Sequence, residues 1–398
     1  MSVINKLKFY YRRLRRFVWI LKYKVSNSYQ LEDMKSGDKN LLFVVHSGLR
    51  GGAPMLGLRI IEELKKRGYK IAIIVIEPGE MVAEYLSLGY VYIPLTKSKL
   101  RKFLNRIDYW KTKQCIANSC LTGEYTDVIK ESGFQIVTLV HEMEKTIKSR
   151  CILDYLKTLF DCSKDVVFAS TVVADSCTKL LKNINLKNVH IRPQGIYQWE
   201  HPFEIDKINA KKEIAQKYNF DFAKELIVNA GGVCKRKGFD LFLEACKMDP
   251  NRIWMWVGVK ENTYYKDVLR KIEKMPDNFI PIGFLHKPTE IAKIYEAADV
   301  LAMTSREDPF PSVVLESFSL GTPVVAFENC GGFTDIINNG ETGYLSEAIT
   351  PEGLLRSIES TLQNKEKYQE MGMACREIAK EMSFSNYVTY LENLFKVE

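Results

Sequence analysis

No apolar run in this 398-residue chain approaches the roughly 20 residues needed to cross a bilayer. Nine cysteines are present without a single C-x-x-C, and Cys115 and Cys120 are the closest pair. That excludes a structural zinc ribbon, a thioredoxin-like motif and a disulfide framework, and fits scattered buried thiols in a reducing cytoplasm. The G-x-x-x-x-G-K-[ST] pattern is missing, so a P-loop nucleotidase is excluded. No small-residue cleavage site follows the first 25 residues, so they are not read as a signal peptide. What is present, 46% apolar and 27% charged residues, is ordinary for a globular chain, and the length allows two to three domains at roughly 150 residues each.

Acid is also missing at the start, where Glu32 is the first carboxylate. Lys6, Lys8, Arg12, Arg13, Arg15, Arg16, Lys22 and Lys24 precede it. These eight account for the whole net charge of +8, and the rest of the chain is formally neutral. The basic balance therefore belongs to a short segment and does not point to nucleic acid as a partner. Within that segment Ile4, Leu7, Tyr11, Leu14, Val18, Leu21 and Val25 recur three and four apart, and Phe17, Trp19 and Ile20 widen the stripe. Residues 1–25 are expected to form a basic amphipathic helix suited to an anionic membrane surface. Packing of that helix onto the body or a partner is the alternative.

Short apolar runs then alternate with helical patterns. Strands are expected at 41–46, 71–76, 115–118, 135–140, 166–169 and 189–191, with helices at 54–67, 122–132 and 174–182. A charged stretch at 201–224 interrupts the alternation. It resumes with strands at 225–230, 253–257, 279–282, 298–303 and 323–326, and helices at 239–247 and 262–274. This is the pattern of βαβ units around parallel sheets. Ligands of such sheets sit beyond the carboxyl ends of the strands, so the residues there are the candidates.

Four stretches qualify. Ser305 to Glu316 reads S-R-E-D-P-F-P-S-V-V-L-E; it follows a strand and opens a helix whose first-turn N–H groups suit a phosphate. Asp308 lies before that turn. Glu316 lies roughly 7–8 Å inside it at 1.5 Å per residue, so two carboxylates could grip two ends of one extended ligand. Gly231 to Gly238 (G-G-V-C-K-R-K-G) places Lys235, Arg236 and Lys237 in a strand-to-helix loop, well suited to a diphosphate. The glycine loop 48–52 permits close backbone approach. His141 follows a buried-type strand directly. A solvated acidic helix start, a surface turn and a structural histidine are the plain alternatives for each stretch alone.

Taken together these residues resemble retaining glycosyltransferases of family 4. The best marker is an E-x7-E pattern, met here as Asp308 through Glu316. Lys237-Gly238, Gly283 in Ile-Gly-Phe, 297–300 (A-A-D-V), 321–326 (G-T-P-V-V-A), Gly331-Gly332 and 339–343 (N-G-E-T-G) complete the match. The resemblance is strongest over 225–345 and weaker over 41–197. It implies the α/β GT-B fold, two Rossmann-like domains facing a cleft. The N-terminal acceptor domain would span 40–197 plus a crossing helix at about 383–398, and the C-terminal donor domain 198–382. It implies a nucleotide-diphosphate-sugar donor and a glycan or lipid-linked acceptor. Lys237 would neutralise the diphosphate, and Asp308 and His141 would contact the donor sugar. Glu316 would hold the ribose hydroxyls, and Gly51 and Gly52 would face the phosphates. Arg236, Gly283, Phe310, Ser312 and Val313 complete the nucleotide-binding set.

The chain departs from that family at three positions. The first acid is aspartate, Gly232 stands where an arginine is usual, and Pro311 replaces a frequent glycine. No D-x-D occurs, so neither metal nor cofactor is expected, and lysine with the 310–313 turn would stabilise the leaving diphosphate electrostatically. The reading is a retaining hexosyltransferase acting in surface-polysaccharide synthesis at the inner face of the membrane. A nucleotide-sugar epimerase on the same fold and a non-catalytic binding homologue are its rivals.

Overall fold

The computed structural model describes residues 14, 16–21, 27, 29–181, 188–196 and 205–396. Seven strands form one sheet: β1 (Asn40–Ser47), β2 (Lys70–Glu77), β3 (Tyr90–Tyr92), β4 (Gln114–Asn118), β5 (Gln135–Val140), β6 (Asp165–Phe168) and β7 (Val189–Ile191). Their order is β3-β2-β1-β4-β5-β6-β7. Six more, β8 (Leu226–Ala230), β9 (Ile253–Val257), β10 (Phe279–Ile282), β11 (Val300–Met303), β12 (Val324–Phe327) and β13 (Gly343–Ser346), form a second sheet ordered β10-β9-β8-β11-β12-β13. Every pairing is parallel. Helices cover both faces of such sheets, which is why β1, β2, β8 and β9 are near-continuous apolar runs.

The chain divides into two compact units. One takes in residues 1–169, 173–192 and 385–398, the other 170–172 and 193–384. In the first, helix Gly52–Lys66 buries Leu56, Leu58, Ile60, Ile61 and Leu64 at helical spacing. The C-terminal helix Phe384–Asn393 is fixed there by Arg67, which donates to Ser385 O and Thr389 Oγ1, each at 2.8 Å, and pairs with Glu392. In the second, Trp254, Trp256, Phe239 and Phe242 are wholly buried and meet edge to face at about 5 Å.

Each sheet reverses its direction of growth once, between β1 and β4 and between β8 and β11. Connections leave those neighbours in opposite directions, and a crevice opens at their carboxyl ends.

Several elements differ from the sequence expectation. The helix expected at 122–132 is a 3-10 turn, Cys120–Glu124, followed by helix Thr126–Glu131. The charged 201–224 stretch holds a helix, Lys207–Tyr218, capped by Asp206 and ended by Asn219 at φ +54°. Of residues 1–25, residue 14 and residues 16–21 are helical, and the others lie outside the described residues. No helix among the described residues is long and apolar enough to cross a membrane.

Candidate functional site

The loops after β8 and β11 flank the reversal in the second sheet, and they are stitched together. Gly238 adopts φ +69°, and a Cβ there would lie 1.9 Å from Thr304 O. Only glycine permits both the left-handed backbone and that approach. Thr304 Oγ1 donates to Lys237 O at 3.0 Å, and Arg306 N donates to Arg236 O at 2.8 Å. Trp256 Nε1 donates to Gly231 O at 2.7 Å, so the aromatic core holds the other end of the loop. Helix Phe239–Met248 follows at once.

This scaffold presents Lys237 to Asp308. The two form an ion pair, and Ser305 Oγ donates to the same Asp308 oxygen at 3.2 Å. Arg236 sits 3.6 Å from that oxygen and donates to Glu307 O at 2.6 Å. Asp308 is itself fixed by its backbone, whose N–H donates to Cys330 O at 2.8 Å. Both partners are largely buried, at 16% and 8% side-chain exposure, so their attraction is only weakly screened.

Glu316 is the fifth residue of helix Ser312–Ser319 and is not a solvated surface acid; it is 2% exposed. The Ser312 side chain donates to its carboxylate and Lys237 is close by, but burial outweighs both and raises its pKa from the ordinary 4.5 to about 7. Its Oε1 has no hydrogen-bond partner among the described residues. A buried acceptor left in this state costs about 1–3 kcal/mol. Beside it the first-turn amides of Ser312 and Val313 have no intrahelical carbonyl to meet, as at any helix start. The assembly offers a cation, paired amides and a hydroxyl-hungry carboxylate, which is chemistry for a phosphate joined to a polyol.

Phe310 and Gly283 are the remaining candidates of this unit. Phe310 is buried, and its carbonyl accepts from Gln194 Nε2 at 3.0 Å. Gly283 follows β10 and lies farther along the sheet, linked through Gly258, whose N–H donates to Gly283 O at 3.3 Å. At Gly232 a Cβ would meet nothing within 4 Å, so nothing in the fold demands glycine there.

At the carboxyl edge of the first sheet the chemistry is different. His141 follows β5, and its Nε2 lies 2.8 Å from Asn118 Oδ1 at the end of β4. Asn118 Nδ2 donates to Ala53 O at 2.6 Å, which fixes the amide orientation, so Oδ1 must accept and Nε2 must carry hydrogen. Burial pushes the His141 pKa well below 6.5, against the pull of Glu142. The neutral ring therefore leaves Nδ1 as its acceptor. Burial works against the Glu142 carboxylate, but its pKa is held below 4.5 with the help of the Ser119 hydroxyl and the Cys120 N–H. Ser119 takes φ +101°, a strained setting for a non-glycine residue, while donating to Glu142. Asn118, Glu142 and Ser305 carried no role in the sequence reading; the first two stand at strand ends, which was the available signal.

The glycine loop divides by function. A Cβ on Gly79 would lie 2.5 Å from Gly48 backbone, so Gly48 and Gly79 serve packing. Gly51 and Gly52 are exposed; a Cβ on Gly51 would make an ordinary contact with Pro54 at 3.8 Å, and one on Gly52 would meet nothing within 4 Å. Lys237, Arg236, Asp308, Ser312 and Glu316 thus come together in one unit, while His141, Gly51 and Gly52 belong to the other. Among the described residues no group of three or more His, Cys, Asp or Glu is placed to hold a metal ion.

Residues 210–378 match the family model described as glycosyl transferases group 1. The chain is 19% identical to an uncharacterized glycosyltransferase of Haemophilus influenzae over 359 residues, 87% of this chain and 96% of that protein. It is 32% identical to a D-inositol 3-phosphate glycosyltransferase of Corynebacterium aurimucosum over 108 residues, covering 27% of this chain but only 25% of that enzyme. In structure it resembles HepE of Anabaena, solved with UDP and glucose, with a TM-score of 0.73 at 17% identity over 90% of this chain and all of that one. The fold is the two-sheet α/β architecture of the GT-B glycosyltransferases.

Proposed function

We propose that the protein is a retaining hexosyltransferase that takes its sugar from a nucleoside-diphosphate donor, with the donor held by the second unit. The observation that carries this reading is Glu316: a buried carboxylate with one unpartnered oxygen, set beside Lys237 at the reversal of a parallel sheet. Ribose hydroxyls satisfy that oxygen, and Lys237 with the Ser312 and Val313 amides takes the diphosphate. Asp308, already oriented by Ser305, accepts from a donor-sugar hydroxyl. The match of residues 210–378 to group 1 glycosyl transferases covers all of these positions.

Charge grows on the diphosphate as the sugar–oxygen bond breaks, and fixed donors lower that barrier without reorganising. No divalent ion is required of the reaction in this reading, and the departing phosphate helps take the acceptor proton on the same face. In the first unit, His141, neutral with Nδ1 as acceptor, and the exposed Gly51-Gly52 backbone offer groups of the kind that contact sugar and phosphate. The acceptor is a glycan or a lipid-linked glycan of a surface polysaccharide.

Calorimetric titration with UDP-, GDP- and dTDP-sugars, each with and without EDTA, tests the proposal. Micromolar binding of one donor class that survives chelation is the expected result, together with slow donor hydrolysis. Absence of binding at millimolar donor contradicts it, and activity abolished by EDTA contradicts the metal-free mechanism.

A further inference from the structure

The N-terminal helical segment is inside out for a helix in water. Leu14, Phe17, Val18 and Leu21 are spaced i, i+3, i+4, i+7 and therefore share one face. Their exposures are 60%, 47%, 52% and 60%. On the opposite side Arg16 is 3% exposed. It donates to Tyr125 Oη at 2.8 Å and Glu77 Oε1 at 2.9 Å, and reaches the Glu124 carboxylate at 3.3 Å and Pro94 O at 3.5 Å. A helix docked on a soluble body ordinarily buries its apolar stripe and leaves arginine in water. Here the charge is the anchor and the apolar stripe is turned outward.

The position of the anchor adds direction. Glu77 is the last residue of β2, and Glu124 and Tyr125 follow β4 closely. The segment is therefore pinned at the carboxyl edge of the first sheet, the edge that carries His141. The first 31 residues hold eight basic side chains and no acidic one, so the segment that carries the apolar face is strongly basic in sequence. An interface of two copies would bring two such segments together and repel. An anionic bilayer surface supplies both partners at once, acyl chains for the stripe and headgroups for the cations.

We infer that residue 14 and residues 16–21 belong to a membrane-docking element, in which Leu14, Phe17, Val18 and Leu21 insert into an anionic lipid surface while Arg16 locks the helix to the strand-end edge of the first unit. The lipid surface then lies beside the edge that bears His141, which places a lipid-linked acceptor in reach of it.

The test is co-sedimentation of the full chain with vesicles of phosphatidylcholine alone and of phosphatidylcholine mixed with phosphatidylglycerol. The wild type is expected to pellet with the anionic vesicles, less so at high salt, and to stay in solution with the neutral ones. Replacing Leu14, Phe17, Val18 and Leu21 by serine, or Phe17→Glu alone, is expected to lower the vesicle partition at least tenfold while UDP titration is unchanged, since these side chains belong to the first unit and the donor-binding residues to the second. Binding that is unchanged in both variants, or no binding to anionic vesicles, overturns the inference. A vesicle-free dimer, seen by light scattering and lost in the same variants, overturns it in favour of self-association. UDP binding is read separately, so a failed donor assignment and a failed membrane assignment give different patterns.

Discussion

The carboxyl edge of the second sheet is built from formal charges, with Lys237 paired to Asp308, Arg236 beside them and Glu316 buried next to the same lysine. That of the first sheet is built from a closed hydrogen-bond network, His141 to Asn118 to Ala53 and Glu142 to Ser119 and Cys120. Both edges arise from the same topology, a parallel sheet reversing beside its first strand. The difference therefore lies in what the loops were given to hold. Charges with an unsatisfied oxygen suit an anionic, hydroxyl-rich ligand that arrives and completes them. A hydrogen-bonded network that sets a neutral imidazole in one tautomer, with Nδ1 as its acceptor, suits positioning of a group whose charge changes little.

The contrast is broken most severely by Lys237→Ala. Losing one preorganised donor costs about 2–4 kcal/mol of transition-state stabilisation, so transfer should slow by two to three orders of magnitude, read as kcat with saturating donor. Turnover close to wild type would remove Lys237 from the charge-bearing role.

Glu316→Gln comes next, and its sign is distinctive. A carboxyl whose pKa rises from 4.5 unfolded to about 7 folded binds more protons in the native state between those values, so native stability falls as pH climbs through that window. At about 1.4 kcal/mol per pH unit the penalty reaches roughly 3 kcal/mol above pH 7. Glutamine removes it. Thermal unfolding should therefore show the variant more stable than wild type at pH 8, with the gap closing toward pH 5, while UDP affinity drops. A variant less stable at every pH would show that Glu316 is an ordinary structural acid.

At the other edge Asn118→Leu takes the acceptor from His141 Nε2 and the donor from Ala53 O. Leaving those groups unpaired should cost about 1–3 kcal/mol of stability. Transfer should fall with an altered pH profile, while UDP affinity stays near wild type. Equal losses of UDP affinity and transfer would erase the division between the two edges.

The smallest expected effect sharpens the comparison from the other side. Gly232→Arg has room and adds a cation to the charged edge. An exposed charge contributes about 1 kcal/mol at most, so UDP affinity should rise severalfold at low salt and revert at high salt. Weaker binding would show that the space is needed by the donor itself.

The βαβ alternation was legible in the sequence because apolar runs such as 41–46 and 253–257 are bounded by glycine, proline and charge. The two strands that escaped are Tyr90–Tyr92 and Gly343–Ser346, edge strands of three and four residues in which no periodicity can develop. Lys237 and Asp308 could be picked individually from their loops, but their pairing spans 71 positions and depends on β8 and β11 being neighbours. The same limit hid Arg16, whose partners Glu77 and Tyr125 lie 61 and 109 residues away. Helical periodicity placed it among flanking cations, and only tertiary structure shows it as the buried anchor. Burial of Glu316 was equally invisible, since an acid one turn into a helix is usually a solvated one.

A crystal structure of the full chain with UDP addresses the central claim most directly. The account expects the diphosphate within hydrogen-bond distance of Lys237 Nζ and the Ser312–Val313 amides, and a ribose hydroxyl donating to Glu316 Oε1. UDP bound elsewhere, with that oxygen still unpartnered, would contradict it.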